Sequence, residues 1–118
     1  MNLIKSWKSF TYALKGLKTV WLEEHNFRIE TLAVLFVTFC IFYFNFNYTE
    51  SALCVLAMVL VVSAEIVNTT IEDLCNKVQP EFDKTIGKIK DMMAAYVLVC
   101  VTGAVILGIL VFINHFIK

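Results

Sequence analysis

Long stretches of this sequence carry no charge. There is no Asp, Glu, Lys or Arg from Thr31 to Thr49, from Ser51 to Ala64, or from Met92 to Ile117. With 59% hydrophobic residues and a mean hydropathy of +0.75, the chain is too apolar for an ordinary soluble domain, where roughly 45–50% is usual. Paired cysteines are also missing. Cys40, Cys54, Cys75 and Cys100 stand singly with no C-x-x-C, which argues against a disulfide or metal framework. Three of them lie in apolar runs, where Cys behaves as a small hydrophobe. The N-terminus lacks the early apolar core and small-residue cleavage site of a secretory signal. A length of 118 residues leaves room for one small domain, 1–118.

What is present is an all-α pattern. Leu3, Trp7, Phe10, Leu14, Leu17 and Trp21 recur at steps of four and three, so residues 1–22 are expected to form an amphipathic helix. Lys5, Lys8, Tyr12, Lys15 and Lys18 fill its other face. A basic helix with Trp and Phe on its apolar face suits the membrane interface. Spans are expected at 31–49, 51–71 and 92–117, since about 20 apolar residues cross a hydrocarbon core of roughly 30 Å. Asn45 to Glu50 reads as a short polar turn, and Pro80 breaks any helix through the polar stretch 73–91. Ala104 and Gly108 in the last span form a small-xxx-small pair, which favours close helix packing.

The net charge is zero, but nine of the ten basic residues fall before residue 30 or between 77 and 90. The positive-inside rule places both blocks in the cytoplasm, leaving Lys118 outside. No nucleic-acid partner is expected.

The candidate site lies on the second span. Glu65, Asn68 and Glu72 are spaced i, i+3 and i+7 and share one helix face. An ionisable side chain at membrane depth is costly and by default functional. Glu24 and Arg28, at i and i+4, suit an ion pair. They lie near the same cytoplasmic interface as Glu72, Lys90 and Asp91. A lipid head group could meet a soluble reagent there. Phosphoryl transfer from a nucleotide needs a metal on the phosphates, a cation and a base for the acceptor hydroxyl. Mg²⁺ takes one or two carboxylates plus phosphate oxygens, which Glu24 and Glu72 could supply. Lys90 could be the cation, and desolvated Glu65 could accept the proton. No G-x-x-x-x-G-K-[ST] loop or protein-kinase signature occurs, which excludes those soluble kinase folds. A proton-coupled exporter built on Glu65 and a non-catalytic membrane scaffold are the readings from other classes.

Lys15-Gly16-Leu17 with Trp21, the run Glu24 to Glu30, Glu65 to Glu72 (Glu-Ile-Val-Asn-Thr-Thr-Ile-Glu) and Lys90-Asp91-Met92 resemble the prokaryotic diacylglycerol kinase family of small integral-membrane lipid kinases. The resemblance covers nearly the whole chain. It implies an N-terminal surface helix, three transmembrane helices and a homotrimer with shared active sites in the inner membrane, facing the cytoplasm. It implies Mg-ATP as donor and diacylglycerol or undecaprenol as acceptor, the former giving phosphatidic acid. Glu65 matches the family's base, and Glu24 and Glu72 its metal ligands. Lys90 and Asp91 match nucleotide contacts, with Lys5, Tyr12, Glu81, Phe82 and Asp83. Asn26, Arg28 and Glu30 match the region lining the lipid site, and Asn68 is placed there with Glu65. Two positions depart from the pattern: Asn76 stands where Asp is common, and Lys5 where close relatives have Arg.

Overall fold

The computed structural model describes residues 2–117, so the outer position expected for Lys118 lies outside the described residues. The described chain is all-helical: α1 (Leu3–Glu23), α2 (His25–Tyr43), α3 (Tyr48–Val78) and α4 (Lys84–Phe116). The last three are long and apolar enough to cross a membrane. α3 packs most extensively on α4, α2 packs on α3, and α1 meets the body mainly through α2.

Three of the four helices start at a side-chain cap, and α2, which follows the break at Glu24, has none. The Asn2 side chain accepts from the amides of Ile4 and Lys5 and opens α1. Most of the apolar stripe of α1 is left uncovered: Leu3, Trp7, Phe10, Leu14, Leu17 and Trp21 are all exposed, with Leu17 also facing α3 across a cleft, and Val20 is the helix's one buried residue. α1 ends because Glu24 takes an extended conformation (φ −115°, ψ 114°). That break turns the chain into α2, so the charged run Glu24 to Glu30 forms the corner and first turns of α2.

The expected windows differ from the helices in instructive ways. The charge-free window 31–49 overshoots α2, which ends at Tyr43. Asn45 sits at φ 55°, a left-handed conformation that Asn tolerates. Asn47 and Glu50 then form a reciprocal capping box that starts α3. Where 51–71 was expected, α3 runs to Val78, and α4 begins at Lys84 where 92 was expected. Much of the polar stretch is therefore helical, and the break around Pro80 is confined to 79–83. Asp83 caps α4 by accepting from the Ile86 amide at 3.0 Å. At 1.5 Å per residue, α3 and α4 are about 46 and 50 Å long, well beyond a hydrocarbon core of roughly 30 Å.

At Gly108 the close packing expected of the small-residue pair is not seen among the described residues. A Cβ added at Gly108 would meet nothing within 4 Å.

Candidate active site at the α1–α2 corner and α3

The corner brings acids from two parts of the sequence together. Arg28 donates from Nε to the carbonyl of Trp21 at 2.7 Å and from Nη2 to that of Leu22 at 2.8 Å. Those carbonyls end α1 and have no partner further along the helix. The ion pair expected between Glu24 and Arg28 is absent among the described residues, where the only close contact of an acid with a basic side chain is Glu50 with His115 at 3.0 Å. Glu24 lies at the break, outside the helix that would set its i, i+4 spacing. The guanidinium serves α1 instead and holds the corner bent.

From that corner Glu23 and Glu24 face Glu72 and Asp73 of α3. A hydrogen bond shared with Asp73 raises the pKa of Glu23, and burial and the charges of Asp73, Glu24 and Glu72 push the same way. Burial raises that of Glu24, and the charges of Glu72 and Asp73 add to it. The four carboxylates lie near enough for their charges to repel one another.

Glu65 lies below this cluster and is only 2% exposed. Asn68 lies one turn along on the same helix face. Glu30 of α2 is near enough to feel the charge of Glu65. Its Oε2 is buried with no partner, as is Oγ1 of Thr69, a residue 2% exposed. α1 and α3 bound a cleft of about 550 Å³ whose lining includes Gly16, Glu23, Thr69 and Asp73. One turn beyond Glu72, Asn76 continues the stripe, and Lys90 of α4 donates from Nζ to its Oδ1 at 2.7 Å. The stripe Glu65, Asn68, Glu72, Asn76 thus spans about 16 Å along α3.

Other expected site residues lie apart. Lys5 and Tyr12 are exposed on α1, with Lys15 Nζ 5.7 Å from the Tyr12 ring centre. Glu81 and Phe82 are exposed in the 79–83 loop, Asp91 is exposed on α4, and Asn26 is exposed on α2. Asp83 is committed to its cap. Sequence reasoning missed Glu23, Asp73, and the partners of Arg28 and Lys90. The first two were adjacent to residues it chose, but their meeting depends on the corner.

Glu24 and Glu72 have the donor chemistry that Mg²⁺ would need. Among the described residues no group of three or more His, Cys, Asp or Glu side chains is arranged to hold a metal alone. Mg²⁺ asks for less, one or two carboxylates completed by phosphate oxygens and water.

Residues 11–112 match the family model described as prokaryotic diacylglycerol kinase. The diacylglycerol kinase of Escherichia coli (strain K12) is 31% identical over 109 residues, 92% of this chain and 89% of its own length. That of Haemophilus influenzae is 29% identical over 113 residues, 94% and 93% of the two chains. That of Helicobacter pylori (strain ATCC 700392 / 26695) is 33% identical over 92 residues, 78% and 72%. A kinase family decides against the exporter and the scaffold. The chain is an enzyme of the prokaryotic diacylglycerol kinase family.

Proposed function

We propose that this protein transfers the γ-phosphate of Mg-ATP to the hydroxyl of a membrane lipid, converting diacylglycerol to phosphatidic acid. It does so as a homotrimer at the cytoplasmic face of the inner membrane. The observation that carries this reading is the depth difference along α3. Glu65 is buried, while Glu72, two turns on, is partly exposed beside Glu24. An acceptor anchored in the bilayer meets Glu65 first, and a soluble donor meets Glu72 first.

The chemistry follows from that order. The lipid O–H bond breaks and its proton passes to a Glu65 carboxylate oxygen. The lipid oxygen bonds to the γ-phosphorus as the bond to the β-phosphate oxygen breaks, and ADP leaves. Asn68 orients the Glu65 carboxylate. Glu30, with Asn26 and Arg28 on the same turns of α2, borders the acceptor. Glu24 and Glu72, with phosphate oxygens, would hold Mg²⁺, which would supply positive charge against the phosphates. Lys90 adds a fixed positive charge, and Lys5, Tyr12, Glu81, Phe82, Asp83 and Asp91, which lie apart within one chain, are assigned to the nucleotide by the family resemblance.

The names of the relatives favour diacylglycerol. The test is purified protein in lipid with radiolabelled ATP, run side by side with diacylglycerol and undecaprenol. Labelled phosphatidic acid is expected. Labelled undecaprenyl phosphate alone would move the acceptor assignment, and no labelled lipid from either would refute the function.

A further inference from the structure

The end of the bundle opposite the candidate site holds a second polar cluster. Glu50, in the first turn of α3, is 3% exposed. Its Oε1 accepts from the Asn47 amide at 3.0 Å, and its own amide donates to Asn47 Oδ1 at 2.8 Å. Its Oε2 accepts from Asn114 Nδ2 at 2.9 Å, and Oε1 faces His115 Nδ1 at 3.0 Å. Asn114 and His115 are in the last turn of α4. The Phe46 ring packs beside the His115 ring, centroids 4.7 Å apart. A capping box needs only Asn47 and Glu50. The reach to α4 is a further feature that capping leaves unexplained.

The seam between these ends is extensive, but its buried α3 side chains are small and apolar and do not single out one register. The buried positions of α3 between Glu50 and Glu65 are Cys54, Ala57 and Ala64. Small apolar residues let helices approach closely, but in lipid there is no hydrophobic gain from one register over another. A buried polar group is the best-attested device for fixing register. A slip of one turn moves a helix by about 5.4 Å. That would carry Lys90 out of reach of Asn76.

We propose that the clasp of Glu50 on Asn114 and His115 sets the axial register of α4 on α3, and so places Lys90 against Asn76 about 36–39 Å away along the helices. Glu50 is on this account a positioning residue, acting through α4. The register itself is independent of the reaction, but its effect on nucleotide binding rests on the role proposed for Lys90.

The test uses the full chain in lipid bilayers, labelled with ¹⁵N and ¹³C. Solid-state NMR follows the cross-peak between Lys90 Nζ and the Asn76 side-chain amide carbon. Two variants remove the clasp from either side: Glu50→Ala, and the double variant Asn114→Ala with His115→Phe, which keeps the capping box if the first fails to fold. The cross-peak is expected to weaken or vanish in either. KM for Mg-ATP is expected to rise about three- to tenfold, with no added effect in a Lys90→Ala background. An unchanged cross-peak in a folded clasp variant overturns the proposal. A lost cross-peak with KM unchanged both there and in Lys90→Ala upholds the register and refutes the nucleotide role of Lys90. A purely structural clasp would lower thermal stability while leaving both cross-peak and KM as they were, and that too overturns it.

Discussion

Arg28 reaches back across the break at Glu24 and donates to the carbonyl of Trp21 at 2.7 Å. A second bond runs to Leu22 at 2.8 Å. A cation at a helix C-terminus is favourable for two reasons: it fills orphan acceptors and it meets the negative end of the helix dipole. Here it also fixes the angle at which Glu23 and Glu24 face α3.

Replacing Arg28 by Ala is therefore expected to free the end of α1. Hydrogen bonds to a charged group contribute about 1.5–3 kcal/mol, the lower end applying to so accessible a side chain. Hydrogen exchange at the amides of Val20 to Glu24 should accelerate, with exchange in the middle of α3 unchanged. Arg28→Lys should recover only part of the protection, because an ammonium lacks the fork that serves two carbonyls at once. Unchanged exchange in Arg28→Ala would show that the corner is held by something else.

The acidic cluster gives a pH dependence whose sign is fixed. The pKa of Glu23 is raised, first by the hydrogen bond with Asp73, and that of Glu24 first by burial. Raised carboxylates bind protons more tightly when folded than when unfolded. Their stabilising contribution is complete below the unfolded carboxylate pKa of about 4.3 and is lost as pH rises through the folded values. At neutral pH without a divalent cation the cluster should therefore oppose folding. Asp73→Asn removes both the hydrogen bond's charged partner and one repelling charge. It is expected to raise the thermal midpoint at neutral pH, with the gap closing toward pH 4 and narrowing when Mg²⁺ is added. Equal midpoints for variant and wild type at both pH values would contradict this.

How far the sequence could be read depends on how local each relation is. Glu65, Asn68 and Glu72 lie on one helix, so their common face follows from 3.6 residues per turn. The same holds for the capping box, since Asn47-x-x-Glu50 is a local signature that was open to reading. The reach of Glu50 to Asn114 and His115 was not, because those residues lie on another helix. The same reason hid Lys90 on Asn76. The Glu24–Arg28 pair failed because a spacing rule valid inside a helix was applied across a break. The span limits were drawn from charge, whereas the helices end at caps: Asn47 and Asp83 decide where α3 and α4 begin. Polar residues such as Asp73 and Lys88 stay helical beyond the apolar core.

The topology can be tested at two positions that the fold leaves open. Tyr48 is 97% exposed at the start of α3, and Phe82 is 94% exposed in the 79–83 loop. Lys77, Lys84, Lys88 and Lys90 flank that loop, so it should lie in the cytoplasm. In a variant free of native cysteines, Tyr48→Cys should react with a membrane-impermeant maleimide in intact cells. Phe82→Cys should react only after lysis. The reverse pattern would invert the orientation and remove the candidate site from the side where ATP is found.

The last prediction separates Glu65 from Glu72. Both sit on one face of α3, two turns apart, but Glu65 is 2% exposed while Glu72 faces Glu24 at the open corner. Depth should give them different work. A buried acid beside an amide can hold a proton taken from an alcohol, and an open pair of carboxylates can hold a hydrated cation. Glu65→Gln keeps size and hydrogen bonding but removes the base. It should lower kcat by about 10²–10⁴ while leaving Mg-ATP affinity near wild type. Glu72→Gln should instead weaken Mg-ATP binding, and raising Mg²⁺ should recover part of the loss. Both variants are measured for ATP affinity and lipid phosphorylation across a Mg²⁺ series. The assignment fails if Glu65→Gln is the variant that Mg²⁺ rescues, or if it keeps full activity. Equal behaviour of the two would mean that depth along α3 does not divide proton from metal.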